Sequence, residues 1–282
     1  MPLEDDFCDI IKKARTGLGL SIGEVAAKSG LPPGDITVLE RAGRQPTRAE
    51  VAALATVLGL RPEPLAQIAL EGWQPADPPA LACVETVLGD VGGYLVKGYV
   101  LYDEGEAIMV DTAYHAEAML DVVNRKNLTL KAVCLTHGHS DHADGLDVIL
   151  QHLQAPVYIG REDVKLLPWK PPQKLMGPSE DGRTIAVGGL TVTCMTTPGH
   201  TPGGICYRVQ RGERELCFVG DTLFAGSIGR ANPATLYPAH LESVRTKVLT
   251  QPAQMVLLPG HGPATTVGEE LVHNPFAEGS KS

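Results

Sequence analysis

Apolar residues recur along this chain with two different periods. From residue 7 to about 70 they return every three to four positions, the spacing of helices with one buried face. In PTRAEVAALATVLGL the stripe is Val51, Leu54, Ala55 and Leu58. Thr47 followed by Glu50 predicts a capping box at its head. Ser21 with Glu24 predicts another at the start of SIGEVAAKSGL, a helix that Gly30 stops. LPPGDITVLERAGRQP reads as a short helix ending near Gly43. The pattern predicts a small all-α module over residues 7–70. EGWQPADPPA, with Pro75, Pro78 and Pro79, then predicts a stiff linker over residues 71–80.

From residue 81 the period shortens. VGGYLVKGYVLYDEGEAIMVDTA predicts two or three strands with a turn at Asp103–Gly105, HAEAMLDVVNRKN an amphipathic helix, and LKAVCLTH a short buried strand. APVYIG, TIAVGGLTVTCMTTPG, GICYRVQ, ELCFVGD and QMVLLPG predict further strands, with helices at about 143–154 and 239–250. Strands mixed with helices indicate an α/β domain over residues 81–282.

Composition narrows the function. The chain has 282 residues, 43% of them hydrophobic, and a net charge of −9, which argues against nonspecific binding of nucleic acid by the whole chain. No apolar run nears the roughly 20 residues of a membrane span, and the acidic start MPLEDDFCDI does not read as a signal peptide. Cysteines 8, 83, 134, 194, 206 and 217 contain no CxxC pair, so they read as reduced, mostly buried thiols of a cytoplasmic protein that makes no membrane contact.

The candidate chemistry is concentrated in LTHGHSDHADG, Leu135–Gly145. His137 and His139 stand two apart where a strand enters a loop, so both imidazoles can face one cation. Asp141 and His142 then turn toward a second position. Three later segments repeat the placement at strand ends: His200 in TTPGHTPGG, Asp221 in FVGDTLFAG and His261 in VLLPGHGPAT. Open α/β sheets expose their sites at that end. His115, His152, His240 and His273 lack such context and read as surface residues.

HxHxDH, PGHTPG, GDTLF and PGHGP, in that order, resemble the metallo-β-lactamase-fold hydrolase superfamily. GDTLFAGSIGR, LLPGHGPATTVGEE and NPF are similar to its glyoxalase II-like (hydroxyacylglutathione hydrolase-like) branch, over about residues 81–276. The resemblance implies an αββα sandwich and two divalent metal ions, zinc first, with iron or manganese as alternatives. His137, His139 and His200 would hold one ion, Asp141, His142 and His261 the other, and Asp221 would bridge them. Asp111 in VDTA would orient a histidine. A hydroxide activated by both ions would cleave a thioester or ester, with Asp141 and Asp221 as the catalytic carboxylates. Only 21 residues follow His261, so the C-terminal helical extension of longer glyoxalase II enzymes is expected to be missing. Arg230 and Tyr237 read as a salt-bridge residue and a packed tyrosine before they read as pocket residues. A mononuclear iron persulfide dioxygenase on the same fold is an alternative.

The N-terminal helices resemble the Cro/phage-repressor (XRE-like) helix-turn-helix. The segment at about 33–41 would be the recognition helix, Thr37 and Arg41 its readers, and Arg44 and Arg48 its phosphate contacts. The resemblance implies DNA as a partner through residues 7–70, and a homodimer. Yet residues 1–76 hold eight Lys/Arg against ten Asp/Glu, which is no basic patch. A metabolite-sensing transcriptional regulator is the further alternative. On the hydrolase reading the helical module is an accessory, and removing residues 1–75 is expected to leave hydrolysis largely intact.

Overall fold

The structure, a computed structural model, describes residues 1–211 and 214–277; residues 278–282 of the expected α/β domain lie outside them. Five helices lead the chain: α1 (Phe7–Gly17), α2 (Ile22–Ser29), α3 (Pro33–Leu39), α4 (Arg48–Leu58) and α5 (Pro62–Ala66), the last continued by a π turn, Gln67–Glu71. Both expected capping boxes form, at Ser21 and Glu24 and at Thr47 and Glu50. A third, Asp6 with Asp9, opens α1. Each N-cap contributes about 1 kcal/mol.

Residues 73–80 have no regular secondary structure. Then β1 (Val84–Val91), β2 (Tyr94–Asp103), β3 (Glu106–Val110), β4 (Thr129–Cys134) and β5 (Val157–Tyr158) form one sheet in that order. The second sheet holds β6 (Thr184–Val187), β7 (Leu190–Thr196), β8 (Ile205–Arg211), β9 (Arg214–Gly220), β10 (Val256–Pro259) and β11 (Thr265–Thr266), ordered from β11 back to β6. Helix α6 (Ala116–Arg125) links β3 to its parallel neighbour β4, and α7 (Ser140–Ala143) and α8 (Leu146–His152) link β4 to β5. Helix α9 (Tyr237–Ser243), with a π turn at Val244–Val248, precedes β10, and α10 (Val267–His273) follows β11.

Two helices differ from expectation. The one expected at 143–154 begins only at Leu146, because Gly145 takes φ +80° and separates it from α7. The one expected at 239–250 starts at Tyr237, where Pro238 fits the first turn, and loosens into the π turn after Ser243.

Strand alternation divides the apolar residues between layers. Tyr207 and Phe218 point between the sheets, where they meet Tyr99, Leu101, Ile108 and Val110 of the first sheet. Val100 and Met109 face out under Met119 and Val123 of α6 and Ile149 of α8. Cys206, Cys217 and Leu257 face out on the opposite side, under Tyr237 of α9, Val244 and Val248. The result is an αββα sandwich.

The N-terminal module is built into this sandwich. Ile10, Ile11, Ala14, Leu54 and Leu65 belong to the same buried cluster as Cys206, Cys217, Tyr237 and Val248. Helix α1 comes so close to α9 that a methyl on Gly17 would lie 2.3 Å from the Tyr237 ring. Tyr237 is therefore a packed residue, 4% exposed, and no pocket residue. Arg61 donates from its backbone to Pro275 and from its guanidinium to the Leu271 carbonyl, 2.9 and 2.8 Å. Trp73 stacks on His273, ring centroids 4.9 Å apart. Removing the helices would therefore leave an apolar face of the second sheet's outer layer in water.

A shared core implies one cooperative transition. Ile10→Ala should lower stability by about 2–5 kcal/mol and shift a single melt seen alike by far-UV and near-UV circular dichroism. Two separated transitions, with only the first moved, would show that the modules unfold independently.

Candidate metal centre

The candidate side chains all follow the carboxyl ends of strands. β4 leads into the loop of His137 and His139 and then into α7 with Asp141 and His142. β7 precedes His200, β9 precedes Asp221 and β10 precedes His261. β9 and β10 are parallel, with Gly220 paired to Pro259, so Asp221 and His261 emerge side by side.

All seven converge. His139 Nδ1 lies 3.0 Å from His200 Nε2, and the ligand-type atoms of His137, His139 and His200 lie within 4.8 Å of one another. Those of His142, Asp221 and His261 form a second such group. Asp141 Oδ2 is 3.3 Å from His261 Nε2 and 3.5 Å from His142 Nε2. Asp221 spans the groups. Its Oδ1 is 3.3 Å from His142 Nε2, and its Oδ2 is 3.5 Å from His200 Nε2 and 3.7 Å from His261 Nε2. Gly260 makes room for this approach, since a methyl there would stand 2.4 Å from the His142 ring and 2.5 Å from Asp221 Oδ1.

The outer hydrogen bonds aim the imidazoles. His142 Nδ1 lies 2.8 Å from Asp111 Oδ2, His200 Nδ1 2.8 Å from the Arg230 carbonyl, and His261 Nδ1 2.7 Å from the Leu95 carbonyl. Each Nδ1–H is the donor, which turns the Nε2 lone pair inward, as a metal ligand requires. Asp111 is itself held by the Thr136 backbone N–H and hydroxyl, both at 2.7 Å. It sits in a turn where Asp111, Ala113 and Tyr114 take φ of +56°, +56° and +50°, strain of the kind that collects at functional sites.

Electrostatics mark the same cluster. Burial lowers His137 well below the usual histidine range and His200 to about 4. Burial acts the same way on His142 and His261, but the carboxylates around them together outweigh it, Asp221 with Asp111 raising His142 well above that range and Asp221 with Asp141 raising His261 to about 9. Burial opposes the charge of Asp221 in turn, and His142 and His261 hold its pKa well below the carboxylate range. His137 Nε2 and Asp221 Oδ1 are buried without a hydrogen bond, each a cost of about 1–3 kcal/mol that a bound cation would offset. The donor set, buried and unpaired at these atoms, fits divalent metal.

Two residues escaped the sequence reading. Asp163, fully buried, accepts from Gly138 N, Gly203 N and Thr201 Oγ1 and so ties the His137–His139 loop to the His200 loop. Its position just after β5 was the available signal. His240, expected at the surface, is 0% exposed, its Nε2 2.8 Å from the Thr222 carbonyl, and burial lowers it to about 3. It faces inward because α9 packs on the second sheet. His115 and His152 are exposed, whereas His273 is half-buried beneath Trp73. Arg230 is exposed and contributes its carbonyl to His200.

The candidate DNA contacts look outward but are largely spoken for. Thr37 donates its hydroxyl to the Pro33 carbonyl at 2.9 Å, Arg44 pairs with Glu50, and Arg48 pairs with Glu63 and Glu71. Arg41 is exposed. Arg44 and Arg48, the expected phosphate contacts, thus have neighbouring carboxylates as partners.

Comparison with known proteins agrees with this geometry. Residues 91–261 match the metallo-beta-lactamase superfamily model, and residues 11–65 match a helix-turn-helix family model. The chain is 31% identical over 189 residues to hydroxyacylglutathione hydrolase GloC of Haemophilus influenzae, covering 62% of this chain and 88% of that protein. It is 30% identical over 210 residues to the probable metallo-hydrolase YqgX of Bacillus subtilis, covering 67% and 95%. Among solved structures, the BLEG-1 B3 metallo-beta-lactamase superposes with a TM-score of 0.61 at 31% identity, over 69% of this chain and all of that one. TTHA1623, solved in a di-iron-bound form, gives 0.59 at 28%, over 68% and 99%. The histidine and aspartate loops on an αββα sandwich thus have their place: this chain belongs to the metallo-beta-lactamase superfamily and carries a helix-turn-helix module ahead of its hydrolase fold.

Proposed function

We propose that the chain hydrolyses thioesters or esters with two divalent cations. His137, His139 and His200 would hold one, Asp141, His142 and His261 the other, and Asp221 would be shared. The observation that carries this reading is Asp221 itself, a buried carboxylate within 3.7 Å of imidazoles from both groups, with one oxygen left without a hydrogen bond. Zinc, iron and manganese all accept such donors, and zinc is our first choice. When bound, the cations supply Lewis acidity toward the attacked carbonyl and a water of lowered pKa.

The chain's own residues do the rest. A cavity of about 340 Å³, lined by Glu4, Val91, Tyr94, Ser140, Asp141 and His261, adjoins the ligand cluster and is where the substrate would sit. Asp141, its side chain 29% exposed, borders this cavity, and where the second cation is weakly held it would accept the proton of an incoming water instead of ligating. A thiolate, with a pKa of about 8.5, leaves without being protonated first. A thioester therefore demands least from the site, and the similarity to a hydroxyacylglutathione hydrolase supports that class. DNA binding by the module rests on the family match. A gel shift with DNA from its own promoter region, lost at high salt, tests it.

Elemental analysis should find near two metals per chain in a sample that also turns over a lactoyl thioester. One iron per chain without thioester turnover would speak for the dioxygenase instead. Asp221→Ala should abolish turnover and leave one metal or fewer; full activity in that depleted variant would overturn the two-metal mechanism. Asp111→Asn keeps every ligand yet should weaken metal binding about 10–100-fold, read by competition with a chromophoric chelator. Unchanged affinity would remove Asp111 from any role in orienting His142.

A further inference from the structure

The residues before α1 take no part in the helix-turn-helix pattern, yet they run across the mouth of the candidate site. Glu4 lines the cavity next to Asp141 and His261. Its backbone lies against the loop behind His261, where a methyl on Gly262 would stand 3.0 Å from Glu4 N and 3.2 Å from Glu4 Cβ. Asp5, 5% exposed, fixes the segment. It accepts from Ser227 Oγ at 2.6 Å and from Lys13 Nζ at 2.5 Å, and Lys13 also donates to the Ile228 carbonyl at 3.1 Å. Lys13 lies over the Phe224 ring, 5.1 Å from its centroid, and Phe224 meets the His261 ring edge-on at 5.9 Å. The clasp therefore joins α1 to the loop that follows Asp221.

The chemistry of this wall is specific. Facing Glu4 across the cavity mouth is the β1–β2 hairpin, with Val91 and Tyr94 lining the cavity and Tyr94 and Leu95 exposed by 73% and 43%. Among the cavity's lining residues there is no lysine or arginine. Lys97 and Lys13 interact electrostatically with Glu4, but Lys97 is 5% exposed, Lys13 is paired with Asp5, and neither lines the cavity. An anionic leaving group lying against this wall, away from the cations held by Asp141 and His261, would meet the Glu4 carboxylate with no lysine or arginine lining the cavity beside it, and like charges brought together discriminate against one partner.

We propose that Glu4 is a specificity-determining residue: the N-terminal segment, clasped by Asp5, makes the cavity select thioesters or esters with neutral or cationic leaving groups over anionic ones such as glutathione. The proposal rests on the hydrolase reading above. It also gives the helical module a role at the site, as the anchor of one cavity wall.

The test uses the full, metal-loaded chain with two lactoyl thioesters, cationic lactoylthiocholine and anionic S-lactoylglutathione. The wild type should prefer the thiocholine ester at least tenfold in kcat/KM, mainly through KM. Glu4→Gln should reduce that preference, and Glu4→Lys should erase or invert it, with melting temperatures unchanged because Glu4 is half-exposed. Asp5→Asn, which loosens the clasp, should reduce the preference in the same direction. A ratio of kcat/KM values that is the same in wild type, Glu4→Gln and Glu4→Lys would overturn the proposal. If the wild type hydrolyses neither ester, the thioesterase reading fails separately. Calorimetric binding of thiocholine and of glutathione to wild type and Glu4→Lys then decides the role of Glu4, with equal selectivity in both proteins overturning it.

Discussion

Asp221 sits between two sets of imidazoles with 8% of its surface exposed, and one of its oxygens has no hydrogen-bond donor. Burial opposes its charge, and the imidazoles of His142 and His261 offset that cost. Three devices hold it there. The parallel pairing of β9 and β10 sets Asp221 beside His261. Gly260 leaves room for its oxygen against the His142 ring. The hydrogen bonds from His142, His200 and His261 to Asp111, Arg230 and Leu95 fix the imidazoles that surround it. The αββα sandwich is in this sense a frame for one arrangement of donors, which divalent cations would complete.

The same frame explains why the helix-turn-helix module is not a passenger. The outer face of the second sheet needs an apolar cover, and α9 and α10 supply only part of it. Helices α1, α4 and α5 complete the cluster around Cys206, Cys217 and Tyr237. With α1 docked there, its leading residues pass the loops after β9 and β10, where Asp5 bonds Ser227 and Glu4 lines the cavity. The internal pairing of Arg44 and Arg48 with carboxylates follows from an acidic module, which offers those guanidinium groups partners before any phosphate arrives.

Much of this was legible in the chain because its signals are local. Capping boxes at Ser21 and Thr47, the turn at Glu104 and Gly105 and the alternation of β7 and β8 each depend on residues a few positions apart. The ligand-type residues announced themselves because each follows a short apolar run that can only be a strand, and the carboxyl ends of strands are where such sheets present their chemistry. His240 was misread for the opposite reason: its neighbours give no sign that α9 lies with that face against the sheet. Asp163 was invisible because a carboxylate joining two loops looks, in one dimension, like any other acidic residue after a strand.

The sequence by itself determined the elements, the superfamily and the seven side chains, since periodicity and motif spacing are properties of short stretches. Tertiary structure decided the rest. The closeness of Asp221 to both groups, the burial of His240, the union of two modules in one core and the arrival of Glu4 at the cavity all join residues far apart in the chain. Such contacts are set by which apolar faces find one another in three dimensions, and no local pattern records that choice.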